Sequence, residues 1–208
     1  MKIVIFGATS PTGRHVVEQA LAEGYEVTAF VRSPQKMEIE HEKLHVVEGD
    51  ALNPDRVEEA VAGQDAVISL IGPAKGSPKD VASRSTLHII TAMKKHDVDR
   101  VVVASVGGVP TPEDRRGPLG KAIGGVLKLL LRDMYADRER QLQLLRESGL
   151  DWVALRLPRL TDEPSTGDYE LGYSVSPASK AARVDVAAAM LDQLTDDTYI
   201  GHAPIIST

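Results

Sequence analysis

Short apolar runs alternate with helical patterns from the first residues of the chain onwards, and this alternation constrains the fold more than any other feature. The runs are Lys2–Phe6, Glu26–Val31, His45–Val47, Ala66–Ile71, Val101–Ala104 and Trp152–Leu157, with a last short one expected within Ile200–Ile206. Most are apolar on both faces, so both faces of the sheet they form must be covered. Strands of that kind, each followed by a helix, imply a parallel sheet between two helical layers, and right-handed crossovers leave few topologies. Helices are expected from the turn after Phe6 to near Glu23, with Gly24 as its cap, over Pro54–Ala62 and over Ser83–His96. The expectation is an α/β fold, a doubly wound, Rossmann-like parallel sheet forming a single domain over residues 1–208.

Two stretches break the rhythm. Gly107–Gly120 is rich in Gly, Pro and charge, and Thr161–Lys180 has little helical pattern. Both follow the carboxyl ends of strands, where open parallel sheets place their ligand crevice. They define candidate substrate-pocket loops around residues 106–120 and 158–180. Between them, the apolar run Val126-Leu127-Leu129-Leu130-Leu131 is expected to join the core, with a dimer seam as the alternative.

Composition removes several classes of function. The chain has no cysteine, which excludes disulfide scaffolds, thiolate nucleophiles and cysteine-held metals. Asp and Glu number 30 against 24 Lys and Arg, without a basic block, so nucleic acid and anionic membranes are poor partners. Of the six histidines only His41 and His45 stand four apart, in His41-Glu42-Lys43-Leu44-His45, and that stretch leads into the short third strand rather than lying on a helix, so no metal site is expected, and no Gly-x-Ser-x-Gly elbow is present. No run approaches a membrane span and no secretory signal is evident. The expectation is a cytoplasmic monomer or homodimer acting on small molecules.

The turn Gly7-Ala8-Thr9-Ser10-Pro11-Thr12-Gly13-Arg14 lies directly after the first strand and directly before a helix. In that position, backbone N–H groups and the helix N-terminus can point at a pyrophosphate. Gly7 permits the turn, Gly13 lets helix and strand pack closely, Ser10 can cap the helix and Pro11 suits its first position. An NAD site usually has an acid at the end of the second strand for the ribose diol. Here that strand ends in Val31-Arg32-Ser33, with Lys36 close behind, which suits a 2′-phosphate.

Gly7-Ala8-Thr9-x-x-Thr12-Gly13 resembles the glycine turn of the atypical short-chain dehydrogenase/reductases. With Gly24-Tyr25-Glu26-Val27-Thr28, Gly49-Asp50, Val61–Ile68, Leu145–Leu150 and Pro158–Gly167, the chain is most similar to the NmrA-like branch and, within it, the biliverdin-IXβ reductase / flavin reductase family. Ser10 departs from that pattern, since the family usually has glycine there. The resemblance implies NADPH as cofactor and a planar acceptor such as FMN or riboflavin as substrate. It assigns Arg32 to the 2′-phosphate and Asp50 to the adenine amino group. It extends the cofactor-binding set to Ala51, Leu70, Ile71, Gly72, Pro158 and Arg159.

Reductases of the wider superfamily often use a Tyr-x-x-x-Lys pair, in which the cation lowers the tyrosine pKa. Tyr135 is followed four residues on by Glu139, so Tyr135 is expected to pack rather than donate a proton. Ser105, at the end of the fifth strand, is the candidate catalytic and nicotinamide-binding hydroxyl. Arg138 and Arg159 stand where the family has histidines, which implies a basic pocket for an anionic acceptor. The reading is a NADPH-dependent reductase of planar acceptors. Its alternatives are a non-catalytic NAD(P)-binding sensor and, third, a sugar-nucleotide epimerase.

Overall fold

The computed structural model describes residues 1–115, 129–165, 167–174, 176 and 178–208. Within them the chain runs β1 (Lys2–Phe6), α1 (Pro11–Ala22), β2 (Glu26–Val31), a 3-10 turn (Pro34–Lys36), β3 (Leu44–Glu48), α2 (Pro54–Val61), β4 (Ala66–Ser69), α3 (Val81–Lys95) and β5 (Arg100–Val106). It continues with α4 (Arg132–Arg146), β6 (Asp151–Leu157), β7 (Arg159–Thr161), β8 (Glu170–Gly172), β9 (Lys180–Ala182), α5 (Arg183–Asp192) and β10 (Ile205–Ser207).

Eight strands form one sheet in the order β3-β2-β1-β4-β5-β6-β10-β8. All neighbours are parallel except β8, which runs antiparallel to β10. Alternate residues of the central strands feed two cores. Ile3, Ile5, Val27, Ala29, Ile68 and Val102 pack with α1 and α5, while Val4, Phe6, Phe30, Val67, Val101 and Val103 pack with α2, α3 and α4. This two-sided burial is the physical reason the strands read as continuous apolar runs. The chain is therefore one α/β domain with a doubly wound sheet, as its pattern implies. Strand order reverses between β1 and β4, and a crevice opens there beyond the carboxyl ends of the strands.

Several boundaries differ from the pattern. β4 stops at Ser69, because Leu70, Ile71 and Gly72 leave the sheet to line the crevice. β5 gains Arg100 at one end and Ser105-Val106 at the other by pairing with β6 along its whole length. β10 is confined to Ile205–Ser207, and Ile200 lies in a turn. The expectation that the leucine run joins the core is corrected: Leu129 and Leu130 are 77% and 73% exposed and Leu131 is 45% exposed. These residues precede α4, and the interior beside α4 is already filled by Tyr135, Leu142 and Leu145. Val126 and Leu127 lie outside the described residues, as do positions 116–120 of the first candidate loop.

Candidate dinucleotide cleft

The turn between β1 and α1 is built by its two glycines. Gly7 has φ of 81°, a conformation that favours glycine, and it faces the Leu70 backbone. A Cβ on Gly13 would stand 2.3 Å from the Gly7 carbonyl oxygen, so no larger residue fits without moving the turn. Ser10 caps α1: its Oγ accepts from Gly13 N at 3.0 Å, and Pro11 follows at the first helical position. Its backbone is extended, with φ of −68° and ψ of 158°. A glycine is thus not required at Ser10, and the departure from the family turn is met by a hydroxyl that completes the cap.

A cleft of about 660 Å³ opens beside this turn. Gly7, Thr9, Ser10 and Pro11 form one wall. Phe30, Arg32, Ser33, Lys36, Asp50, Ala51 and Leu52 form the end under β2 and β3, and the run from Leu70 to Ala74 closes the other end with Gly76, Ser77, Pro78 and Val81. Thr12 and Gly13 are buried behind the turn, where they support its shape. Arg32 and Lys36 are both solvent-exposed at the cleft edge. The Asp50 carboxylate accepts from Leu52 N at 2.9 Å, while Asn53, not Asp50, caps α2 by accepting from Asp55 N and Arg56 N.

The remaining candidates divide. Arg138 is 5% exposed. Its Nη1 donates to the Ala104 carbonyl at 3.1 Å and to Gln141 Oε1 at 2.9 Å, and its Nη2 stands 2.8 Å from where a Cβ on Gly72 would be. The missing side chain of Gly72, which lines the cleft, therefore leaves room for a buried guanidinium directly behind that wall; neither Arg138 nor Ser105 itself lines the cleft. Burial pulls the Arg138 pKa down to about 10, against the opposing charge of Asp137, so it remains a cation at neutral pH. Asp137 itself caps α3, accepting from Ala82 N at 3.0 Å and Ser83 N at 2.8 Å. The side chain at position 138 is thus not on a solvated helix face.

Ser105 is buried at 3% exposure, and its Oγ has no hydrogen-bond partner; the same is true of Ser69 Oγ and Arg138 Nε. Side chains at 69 and 105 share the α3/α4 face of the sheet, two residues apart in register, since Ser69 pairs with Val103. Such groups buried without partners are costly, which makes the carboxyl ends of β4 and β5 suited to a polar ligand edge or ordered water. Pro158 and Arg159 follow β6, Arg159 exposed on β7, and neither lines the cleft. Tyr135 is 3% exposed with its hydroxyl against Gly108, where a Cβ would meet it at 2.0 Å. It packs, as its missing lysine implies.

The described parts of the two candidate loops meet each other, and none of their described residues lines the cleft. Arg156, fully buried on β6, donates to Ala203 O at 2.7 Å, to Val109 O at 2.8 Å and to Asp114 Oδ1 at 2.6 Å. Arg115 N donates to Tyr173 O at 2.9 Å. Sequence reasoning missed Ser69, the segment from Pro73 to Pro78, and the contact between Gly72 and Arg138. Only the strand stop Gly72-Pro73 hinted at them.

The fold and this cleft define an NAD(P)H-binding Rossmann-type protein. The chain belongs to the NAD(P)H-binding family whose model matches residues 7–197. It is 28% identical over 182 residues to an uncharacterised chloroplast protein of Arabidopsis thaliana, covering 80% of this chain and 62% of that one. It is 26% identical over 214 residues to the 2-alkyl-3-oxoalkanoate reductase of Stenotrophomonas maltophilia, covering 99% of this chain and 63% of that one. The chain thus spans less than two thirds of these relatives. Among solved structures, a candidate epimerase from Bacteroides thetaiotaomicron superposes with a TM-score of 0.83 at 30% identity, covering 99% of this chain and 96% of that one. The anaerobilin reductase of Escherichia coli O157:H7 superposes at 0.81 and 20% identity, covering 100% and 97%, and shares the fold.

Proposed function

We propose that the protein is a NADPH-dependent oxidoreductase that passes hydride to a flavin such as FMN or riboflavin, or to a similar planar acceptor. One observation carries the cofactor choice. The end of the cleft under β2 presents Arg32 and Lys36 and no acid beyond Asp50, which is on β3's side of it. A 2′-phosphate is bound by such cations, whereas a free ribose diol asks for a carboxylate. The bound nicotinamide supplies the hydride. The chain holds the pyrophosphate on the α1 N-terminus, the adenosine end on Arg32, Lys36 and Asp50, and the reactive end near Leu70, Ile71 and Gly72.

The acceptor side follows from what the chain lacks. Tyr135 is packed against Gly108 and Glu139 stands in the lysine position, so no tyrosine–lysine acid serves this site. A flavin ring takes its proton from solvent, so orientation of two rings is the main task of the protein. Ser105 holds a carboxamide or acceptor oxygen, Arg138 draws the acceptor's negative charge, and Arg159 acts from the exposed rim. The same absence favours a second reading, a sensor that binds the cofactor without turnover. An epimerase, as the Bacteroides structure is described, needs a proton-transfer group that Tyr135 does not offer. Steady-state NADPH oxidation with and without FMN tests the proposal: turnover dependent on FMN supports it, and tight NADPH binding with no turnover on any planar acceptor supports the sensor.

A further inference from the structure

The first turn of α1 carries a charged side chain that reaches away from the glycine turn. Arg14 is rooted in the helix, its N–H donating to Ser10 O at 3.0 Å. Its Nη2 donates to the carbonyl of Lys36 at 2.8 Å, and its Nη1 pairs with Glu38 Oε2 at 2.7 Å. One side chain therefore ties the helix whose N-terminus faces the cleft to the turn that bears the cations at the cleft's far end.

That turn has little else to hold it. Pro34–Lys36 is a single 3-10 turn whose preceding residue, Ser33, makes no side-chain cap. Its own bonds are Lys36 N to Ser33 O at 3.0 Å and Met37 N to Pro34 O at 2.9 Å. Past it, Met37 and Ile39 pack on the core. Isolated turns of this kind have poor hydrogen-bond geometry and are marginal without tertiary support. Arg14, at the Lys36 carbonyl, and Met37, the next residue, are that support.

We infer that Arg14 is a positioning residue for cofactor discrimination: by holding the Lys36 carbonyl it fixes the Arg32–Lys36 segment at a set spacing from the α1 N-terminus. The pyrophosphate and the 2′-phosphate are covalently joined in one ligand, so the two sites gain from a fixed spacing before binding. NADH lacks the second phosphate and gains nothing from it. Glu38 balances the Arg14 charge, which makes Arg14 a strut rather than a general attractor of anions. The inference rests on the NADPH reading above.

The test is calorimetric titration of the parent, Arg14→Ala, Arg14→Lys and Glu38→Gln with NADPH and with NADH, alongside thermal melts. Ordering two freed side chains on binding corresponds to about fivefold to a hundredfold in Kd. Arg14→Ala should therefore weaken NADPH by that factor with NADH shifted less than about threefold, and with the melt nearly unchanged, because an exposed pair adds little stability. Arg14→Lys, which can still reach a carbonyl, should recover part of the NADPH loss. Glu38→Gln keeps the Lys36 bond and should leave NADPH affinity intact or tighter. Equal losses for both cofactors in Arg14→Ala, or a loss in Glu38→Gln as large as in Arg14→Ala, would overturn the role given to the carbonyl bond. If the parent binds NADPH and NADH equally, the NADPH reading itself fails and the inference falls with it. If the parent discriminates and Arg14→Ala still does so fully, only the inference fails.

Discussion

At the scale of single residues, the proposed discrimination between cofactors rests chiefly on Arg32, with Lys36 beside it. A charge-assisted contact contributes about 1.5–3 kcal/mol, so Arg32→Ala should weaken NADPH roughly tenfold to a hundredfold. NADH should change far less, and calorimetry with both cofactors reads the difference directly. Gly13 has no room for a side chain, since a Cβ there meets the Gly7 carbonyl at 2.3 Å. Gly13→Ala should abolish measurable cofactor affinity even where the variant still folds, whereas Ser10→Gly should cost only a few tenths of a kcal/mol in stability, glycine being an acceptable cap. Arg138 sets a pH limit. Its pKa lies near 10 through burial. Affinity for an anionic acceptor should stay flat through neutral pH and fall only as pH climbs towards that value; KM measured against pH checks it. A fall near neutrality would assign the charge to another group.

At the scale of elements, two buried carboxylates hold the scaffold around the site. Asp137 caps α3 from α4 and thereby fixes the helix that carries Arg138. Asp114 pairs with fully buried Arg156 and locks the described part of the loop after β5 onto β6. Removing one partner of such a pair leaves an uncompensated charge, at a cost of about 3–5 kcal/mol. Asp114→Asn should therefore lower the melting temperature strongly while leaving NADPH affinity per folded molecule unchanged, because neither residue lines the cleft. Strands and helices were legible because their apolar periods are set by two-sided burial, as Ile3 and Ile5 against Val4 and Phe6 illustrate. The glycine turn and Arg32 were legible because they act locally in sequence. Arg138's burial was not, because Asp137-Arg138-Glu139-Arg140 reads as a polar face and only the distant Gly72, Ala104 and Gln141 give it partners. The exposure of Leu129–Leu131 was hidden for a related reason: hydrophobic composition does not report whether the interior already has its occupants.

At the scale of the whole molecule, a doubly wound sheet places the glycine turn, Arg32, Ser69, Leu70–Gly72 and Ser105 at one edge, the carboxyl ends of β1, β2, β4 and β5. The end of the cleft under β2 and β3 presents Arg32, Lys36 and Asp50. Behind its Leu70–Gly72 end, at the carboxyl ends of β4 and β5, lie a buried cation, Arg138, and the unpartnered hydroxyls of Ser69 and Ser105, with no tyrosine–lysine acid among the described residues. That asymmetry suits a reaction in which binding and orientation supply most of the rate. Accordingly, Ser105→Ala and Arg138→Ala should each keep FMN turnover within about a hundredfold of the parent, short of the upper range for losing a general acid. A fall beyond about a thousandfold in Ser105→Ala, with NADPH binding intact, would make Ser105 a proton donor and favour a carbonyl substrate. The most direct measurement is single-turnover stopped flow of the NADPH-loaded protein mixed with FMN under anaerobic conditions. The account predicts NADPH oxidation matched one-for-one by flavin reduction, faster with NADPH than with NADH at equal concentration. A protein that binds NADPH tightly yet leaves FMN, riboflavin and other planar acceptors unreduced would contradict it.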